Sequence, residues 1–166
     1  MKPLKQVGAL CVCEADEGDE LLVLLVTSRD TRRWVIPKGW PAKSLKAHQA
    51  AAREAKEEAG VQGRVSSSIF GKYRYTRPDE AGDQTHIVSV YLMAVRAMLD
   101  KWPEVSERKR AWFSLSSAAR RVAEPELRIL MRRLRQTTDH PKWRKKSELI
   151  RKAGRAPKKP RAAGAK

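Results

Sequence analysis

The sequence predicts an α+β domain whose β-sheet contains strands of mixed direction. Short β-rich runs open the chain, a helical segment follows, and two longer strand-like runs precede a second helical segment. This order differs from the regular alternation of strand and helix that builds a parallel sheet, so a mixed sheet is favoured. A chain of 166 residues is long enough for one domain with a sizeable core.

The first strands are expected at residues 7–13 and 21–27, which are rich in Val and Leu and are separated by a polar stretch with a glycine. A short apolar segment at residues 34–37 ends at a proline. Cys11 and Cys13 lie two positions apart on the first strand, so they share a face but stand too far apart to bridge easily. We therefore expect reduced core thiols, as in a cytoplasmic protein. The sequence shows no apolar run long enough for a transmembrane helix.

A helix is expected at residues 45–59, where Ala, Glu, Lys and Gln dominate and Pro and Gly are absent. Ser44 is the expected N-cap of this helix, because a serine oxygen can accept a hydrogen bond from a first-turn amide. Gly60 is the expected C-terminal stop.

Two longer strands are expected at residues 63–76 and 85–95, with a polar turn between them, and a short strand is expected at 111–114. Pro125 suits the first position of a second helix, in which apolar residues recur at i, i+3, i+4 and i+7. The predicted domain therefore covers residues 1–135.

The chain is strongly basic, with 36 Lys and Arg against 19 Asp and Glu and a net charge of +17. Residues 136–166 contain eleven basic and two acidic residues and contribute +9 of that charge. We expect this tail to be partly helical and then disordered, because its end consists of Ala, Pro, Gly, Lys and Arg. The charge favours a polyanionic ligand, and the tail is expected to contact nucleic acid or polyphosphate non-specifically.

The candidate catalytic residues lie in the first predicted helix. Glu54, Glu57 and Glu58 are three and four positions apart, so one helix face carries all three carboxylates. Like charges at this spacing repel one another, and clustered carboxylate oxygens are ligands that Mg²⁺ or Mn²⁺ prefers. The alternative is a charged helix face that is simply solvated. Gly39 lies in a tight loop before the helix, and such a loop can bring a backbone carbonyl near the carboxylates.

Gly39 together with the run REAKEEAGV at 53–61 resembles the Nudix box, a glycine–loop–helix signature of hydrolases that act on nucleoside diphosphates linked to another group. The resemblance implies a Nudix fold, with a mixed β-sheet sandwiched between helices. One position departs from the pattern, because Leu45 stands where the signature has a glutamate. Leu45 lies outside the central glutamates, so metal binding is expected to survive and Leu45 is expected to pack towards the sheet.

Four further segments are similar to those of the diphosphoinositol polyphosphate phosphohydrolases, which cleave inositol pyrophosphates and diadenosine polyphosphates. These segments are residues 11–13, 27–29, 33–37 and 108–113. Lys38 and Trp40 stand where those enzymes carry glycine, and Ile87, beside His86, stands where they carry a basic residue.

The resemblance implies a metal-dependent pyrophosphohydrolase that cleaves phosphoanhydride bonds of an inositol pyrophosphate or a dinucleoside polyphosphate. It implies that Glu54, Glu57 and Glu58 are catalytic and bind Mg²⁺ or Mn²⁺, and that a backbone carbonyl of Lys38 or Gly39 completes the shell. One of these glutamates, or an acid from a later loop, would be the general base. The acids of the later loops are Glu80, Asp83 and Glu104.

Cationic side chains in the similar segments are candidates for phosphate binding, because guanidinium groups bind phosphate bidentately. Trp40 lies beside the metal loop and is expected either to stack a base or to pack on the helix. The candidate substrate-binding residues are Arg29, Arg33, Lys38, Trp40, Arg108 and Arg110.

Two other functions are left open by the sequence, as is the oligomeric state. One is a Nudix hydrolase of ADP-ribose, a nucleoside triphosphate or RNA 5′ ends, which the basic tail makes plausible. The other is a catalytically silent Nudix module that binds polyanions, for which Leu45 is the only sequence argument.

Overall fold

The computed structural model describes residues 2–15 and 20–137, which form a seven-stranded sheet with helices on it. The strands are β1 (Leu4–Glu14), β2 (Leu21–Thr27), β3 (Trp34–Val35), β4 (Lys38–Gly39), β5 (Val61–Asp79), β6 (Gly82–Met98) and β7 (Arg110–Ser114). The helices are α1 (Ala47–Ala59), α2 (Leu115–Arg121) and α3 (Pro125–Thr137). None of these helices is long and apolar enough to cross a membrane. The basic tail predicted at 136–166 lies outside the described residues from position 138 onwards, so its expected structure stays a prediction.

The sheet is mixed, as predicted. β1 is central, because it pairs in parallel with β6 and antiparallel with both β2 and β4. β6 pairs antiparallel with β5, and β2 also pairs antiparallel with β3 and β7. This order places the short strand β4, and hence Gly39, beside the middle of the sheet rather than at its edge.

Both faces of the sheet are covered, which explains why β2 is buried along its whole length and is apolar up to Val26. α1 presents Ala51, Ala55 and Ala59 to one face, and α2 and α3 cover the other face, where Leu127 and Met131 are fully buried. Because alanine is small, α1 lies close to the sheet. Of its acidic residues, Glu58 is buried, whereas Glu54 and Glu57 are half-buried.

The buried thiols agree with the sequence analysis. Cys11 and Cys13 are both buried in the cluster beneath α1, and neither forms a disulfide within the described residues. Burial raises the pKa of Cys11 to about 12, so this thiol stays protonated and unreactive at neutral pH. Trp112 and Phe113 are also buried, on opposite faces of the sheet.

The start of α1 differs from the prediction. The N-cap is Lys46 rather than Ser44, and its backbone N–H donates to Gln49 Oε1 at 3.0 Å. Ser44 was the wrong choice because the glutamine side chain offers a local acceptor within the helix itself. Leu45 is half-buried against the cluster beneath α1, which confirms its expected packing.

Two other elements differ from the prediction. The β5–β6 hairpin is longer, because Asp79 still pairs with Gly82 and the turn shrinks to two residues. Helix α2 was not predicted, since its seven residues carry no clear apolar stripe. Its beginning is fixed by Ser114, whose hydroxyl accepts a hydrogen bond from the N–H of Ser117 at 3.2 Å.

Candidate active site

The loop before α1 brings the backbone of Gly39 directly against the side chain of Glu54. A Cβ atom at position 39 would lie 2.3 Å from the carboxyl carbon of Glu54, so a larger residue fits only if that carboxylate moves. β4 holds the loop in place, because Gly39 pairs with Val7 of β1. The glycine of the sequence signature therefore has a steric basis in this chain.

Glu58 is the buried member of the three carboxylates, with 7% of the residue exposed. Its Oε2 accepts a hydrogen bond from the backbone N–H of Lys38 at 3.2 Å, and its Oε1 lies 3.4 Å from Nη2 of Arg108. Burial raises the pKa of Glu58 to about 7, although the positive charges of Arg108 and Lys38 favour the ionised form. Glu58 can therefore accept or release a proton near neutral pH.

Glu54 and Glu57 form the outer part of the carboxylate face. Burial raises the pKa of Glu54, and the negative charge of Glu57 raises it further. Arg53 offsets this repulsion only weakly, since its Nε lies 4.0 Å from a Glu57 oxygen and both side chains are more than 40% exposed. A divalent cation between the two carboxylates would remove the repulsion.

The donors on this face fit a hard divalent cation, because all of them are oxygens. Within residues 2–15 and 20–137, however, no three His, Cys, Asp or Glu side chains converge closely enough to hold a metal ion. The contacts of Glu58 account for this, since Arg108 and the Lys38 amide take its oxygens. The glutamates predicted to bind metal thus share one face, and one of them is engaged by an arginine.

The loop between β6 and β7 closes one side of this face. The backbone N–H of Glu104 donates to the carbonyl of Glu57 at 3.1 Å, and Trp102 Nε1 donates to the carbonyl of Glu58 at 3.2 Å. The negative charge of Glu104 also contributes to the raised pKa of both Glu54 and Glu58. Of the later-loop acids that the sequence offered as bases, Glu104 is therefore beside the site.

The other two acids lie elsewhere. Glu80 and Asp83 are exposed at the tip of the β5–β6 hairpin. Neither forms an ion pair within the part of the chain that the structure describes. The structure gives no contact that would associate them with the carboxylate face.

Arg108 is a buried guanidinium at the centre of the site. Besides Glu58, it donates from Nε to Glu104 at 3.1 Å and from Nη1 to the carbonyl of Thr27 at 3.2 Å. Only 9% of its side chain is exposed. The structure brings this predicted substrate-binding residue to the carboxylate face. Its nitrogens, however, are already engaged by oxygens of Glu104, Thr27 and Glu58.

Arg110 does not point to the carboxylate face. Its guanidinium donates to the carbonyls of Ala59, Gly60 and Leu99 at 2.8 to 3.2 Å. It also lies over the ring of Trp102, 3.9 Å from the centroid. A cation at the last carbonyls of a helix is favourable. These contacts assign Arg110 to capping α1 and do not support the prediction that it binds phosphate.

The two predicted arginines of the β2–β3 connection are also paired. Arg33 Nη1 donates to the buried carboxylate of Glu124 at 2.8 Å, so it ties this connection to the start of α3. Arg29 is more than half exposed and lies 3.6 Å from Glu104 and 3.8 Å from Glu107. Of the two, Arg29 is the better placed to reach a substrate.

Lys38 and Trp40 flank an aromatic cluster that sequence reasoning did not identify. Nζ of Lys38 lies 4.8 Å from the ring centroid of Tyr75, which stacks on His86 at 4.7 Å. Trp40 lies 5.8 Å from the same histidine and is 52% exposed, so much of its ring is available to a ligand. Burial lowers the pKa of Lys38, against the opposing charge of Glu58. The alternation of side chains along β5 predicts that Tyr73 and Tyr75 share one face of the sheet. Their contact with His86 depends on the pairing of β5 with β6, which no short sequence motif indicates.

A family model described as the NUDIX domain matches residues 4–134 of this chain. Diphosphoinositol polyphosphate phosphohydrolase 3-beta of Homo sapiens is 31% identical over 112 residues, which are 66% of this chain and 65% of that protein. Diphosphoinositol polyphosphate phosphohydrolase 2 of Rattus norvegicus is 32% identical over 112 residues, 66% of this chain and 59% of that protein. The match thus spans less than two thirds of the length of these curated relatives.

Solved structures show the same fold at lower identity. An Ap4A hydrolase binary complex from C. elegans has a TM-score of 0.61 at 18% identity, over 82% of this chain and 98% of that one. A MutT protein from Methanosarcina mazei has a TM-score of 0.58 at 22% identity, over 82% of this chain and 96% of that one. Since the family model covers nearly all of the described residues, including Gly39 and the carboxylate face of α1, the chain belongs to the NUDIX domain family.

Proposed function

We propose that this chain is a divalent-metal-dependent pyrophosphohydrolase that cleaves a phosphoanhydride bond of an inositol pyrophosphate or a dinucleoside polyphosphate. One observation carries the proposal: Glu54, Glu57 and Glu58 share a face of α1, with the backbone of Gly39 against Glu54. The names of the relatives support the substrate class, since they include diphosphoinositol polyphosphate phosphohydrolases and an Ap4A hydrolase.

Glu54, Glu57 and Glu58 would hold Mg²⁺ or Mn²⁺, together with a backbone carbonyl of Lys38 or Gly39. When bound, such an ion neutralises phosphate charge and activates water. The raised pKa of Glu54, caused by burial and by Glu57, supports a cation at this position. Gly39 allows the backbone to lie against Glu54 because it has no side chain.

Glu58 is the favoured general base. In the metal-free chain, burial raises its pKa to about 7, and a base works best when its pKa lies near the working pH. Arg108 keeps the carboxylate in one orientation through the contact at Oε1. Glu104 is the second choice, because it is held at the end of α1 through its own N–H and binds the same arginine.

We expect cationic and aromatic side chains around this face to bind the substrate. Arg29 supplies a guanidinium that is more than half exposed, and Lys38 supplies an ammonium that lies over the ring of Tyr75. Trp40 offers an exposed ring for a nucleobase, where the substrate carries one. The buried, reduced thiols of Cys11 and Cys13 support a cytoplasmic location. The charge of residues 136–166 supports non-specific contact with nucleic acid.

The proposal is tested by separating and identifying the hydrolysis products of inositol pyrophosphate, diadenosine tetraphosphate, ADP-ribose and triphosphorylated RNA, with and without Mg²⁺. Wild type is compared with Glu57→Gln, and Lys56→Gln on an exposed position of the same helix serves as the control. We expect Mg²⁺-dependent turnover of the first two substrates, abolished only in Glu57→Gln. Preference for ADP-ribose or RNA would replace the substrate class. Binding without turnover of any substrate would establish the silent module, which the Arg108–Glu58 contact favours.

A further inference from the structure

A pocket of about 410 Å³ opens where β2 and β3 meet β7. It is lined by Thr27, Arg32, Trp34 and Lys109. One arginine connects this pocket to the carboxylate face, because Arg108 donates to the carbonyl of Thr27 at 3.2 Å and lies 3.4 Å from Glu58. The guanidinium of Arg108 therefore lies between the pocket and the carboxylate face.

Two cations of this pocket lack a counter-charge. Arg32 and Lys109 are both exposed, and neither forms an ion pair with any residue in the described ranges. The neighbouring arginines are different, since Arg33 is paired with Glu124 and Arg29 lies near Glu104. Two unpaired positive charges at one opening attract an anion, and a guanidinium suits the oxygens of a phosphate group.

The backbone of Arg32 is held in an unfavourable conformation. Its φ of 58° is left-handed, which is costly for a side chain other than glycine, asparagine or aspartate. The turn around it is closed by two hydrogen bonds, from Arg32 N–H to the Ser28 carbonyl at 3.0 Å and from Ser28 N–H to the Arg33 carbonyl at 2.9 Å. Strain of this kind persists where the surroundings enforce it, and it clusters at ligand sites.

The rest of the loop is anchored on both sides. Asp30 binds Arg77 of the β5–β6 hairpin at 2.6 Å, and Arg33 binds Glu124 before α3. Trp34 forms a firm wall, because its ring packs edge-on against Phe113 at 5.0 Å. The loop therefore presents the Arg32 side chain from a fixed position.

We infer that Arg32 and Lys109 form a second anion subsite, which binds a phosphate group of the substrate remote from the bond that is cleaved. This inference rests on the proposed function for the identity of the substrate, but the subsite itself is defined by the pocket and its two unpaired cations. It makes substrates with longer polyphosphate chains better ligands than short ones.

The first test is direct binding of inorganic tripolyphosphate, measured by calorimetry without divalent metal, so that the carboxylate face repels the anion. Arg32→Gly removes the guanidinium and is compatible with a φ of 58°, so the loop should keep its shape. We expect Arg32→Gly and Lys109→Ala each to weaken binding about tenfold, and Arg32→Lys to weaken it less. Lys101→Ala, an exposed residue outside the pocket, should bind as wild type does. Absence of binding to wild type, or equal affinity in Arg32→Gly, overturns the subsite.

The second test is kcat/KM for diadenosine polyphosphates of increasing phosphate number, in the presence of Mg²⁺. The loss in Arg32→Gly should grow with phosphate number and should be absent in Lys101→Ala. An equal loss of kcat/KM for every substrate in the series would show that Arg32 only maintains the conformation of the loop, and it would overturn the inference. If wild type hydrolyses none of these substrates, the dinucleoside polyphosphate part of the proposed function fails, whereas the tripolyphosphate measurement still decides on the subsite.

Discussion

Nη2 of Arg108 lies 3.4 Å from Oε1 of Glu58, and both side chains are buried, with 9% and 8% exposed. A buried ion pair is costly to form, and removing one partner leaves an uncompensated charge in a poorly solvated place. Here the pair lies inside the carboxylate face that would hold a metal ion. Arg108 therefore links the β6–β7 loop to β2, and its positive charge favours the ionised form of Glu58.

The first prediction concerns this pair. Arg108→Gln should lower the free energy of unfolding by about 3 kcal/mol, because Glu58 loses its counter-charge and the carbonyl of Thr27 loses a donor. The measurement is urea denaturation at pH 8. Arg29→Gln is the control, since this exposed arginine near Glu104 should contribute less than about 1 kcal/mol. Equal free energies of unfolding for the two variants would show that the buried pair does not stabilise the fold.

The second prediction concerns pH. Burial raises the pKa of Glu58 from its ordinary value of 4.5 to about 7 in the folded chain. Between pH 4.5 and 7 the folded chain therefore keeps a proton on Glu58 that the unfolded chain has released. Stability from this group is therefore present below pH 4.5 and is lost as the pH rises towards 7. In metal-free buffer, thermal unfolding between these values should show that decline. Glu58→Gln should flatten it, and an unchanged slope would contradict the shifted pKa.

The third prediction separates stability from catalysis at Glu57. Without metal, Glu57→Gln should raise Tm slightly, because it removes the charge that raises the pKa of Glu54. With saturating Mg²⁺, wild type should gain stability and the variant should gain less, because a bound ligand stabilises only the form that holds it. Turnover should fall by orders of magnitude. The readout is Tm with and without Mg²⁺, and an equal shift in both proteins would remove Glu57 from the metal site.

The carboxylate face was predictable because everything that builds it is local. Glu54 and Glu58 are separated by one helical turn, and the stop at Gly60 follows directly, where φ is 63°. Gly39 is on the preceding loop, so the signature is read from one continuous stretch of chain. The order of strands and helices was predictable for the same reason, since it depends on periodicity and on prolines and glycines.

The partners of the arginines were not predictable, because they depend on topology. Arg108 is 50 residues from Glu58, and Arg33 is 91 residues from Glu124. In the sequence, Arg108 and Arg110 are two cations in one basic run. In the fold, the first lies under the carboxylate face and the second caps the end of α1. Charge alone could not tell these two places apart.

The fourth prediction tests the steric role of Gly39. Gly39→Ala should displace the carboxylate of Glu54, because the added Cβ would lie 2.3 Å from its carboxyl carbon. Activity and the Tm gain from Mg²⁺ should both fall while the fold persists. Gly82→Ala is the comparison: position 82 has open space but a φ of 118°, so this variant should lose stability and keep its response to Mg²⁺. An Mg²⁺ response in Gly39→Ala equal to wild type would show that Glu54 does not need the glycine.

The fifth prediction concerns Leu45, the position where the chain departs from the signature. Its side chain is half-buried against the cluster beneath α1, and it lies before the helix rather than on the carboxylate face. Leu45→Glu should therefore lower stability by about 1 kcal/mol through lost apolar burial. It should change kcat/KM by less than about tenfold, roughly 1.4 kcal/mol in the barrier. Leu45→Met is the control, because it keeps the apolar contact and should match wild type in both measurements. A gain in activity far above tenfold in Leu45→Glu would mean that the natural residue disables the site, and it would favour a module that binds polyanions without cleaving them.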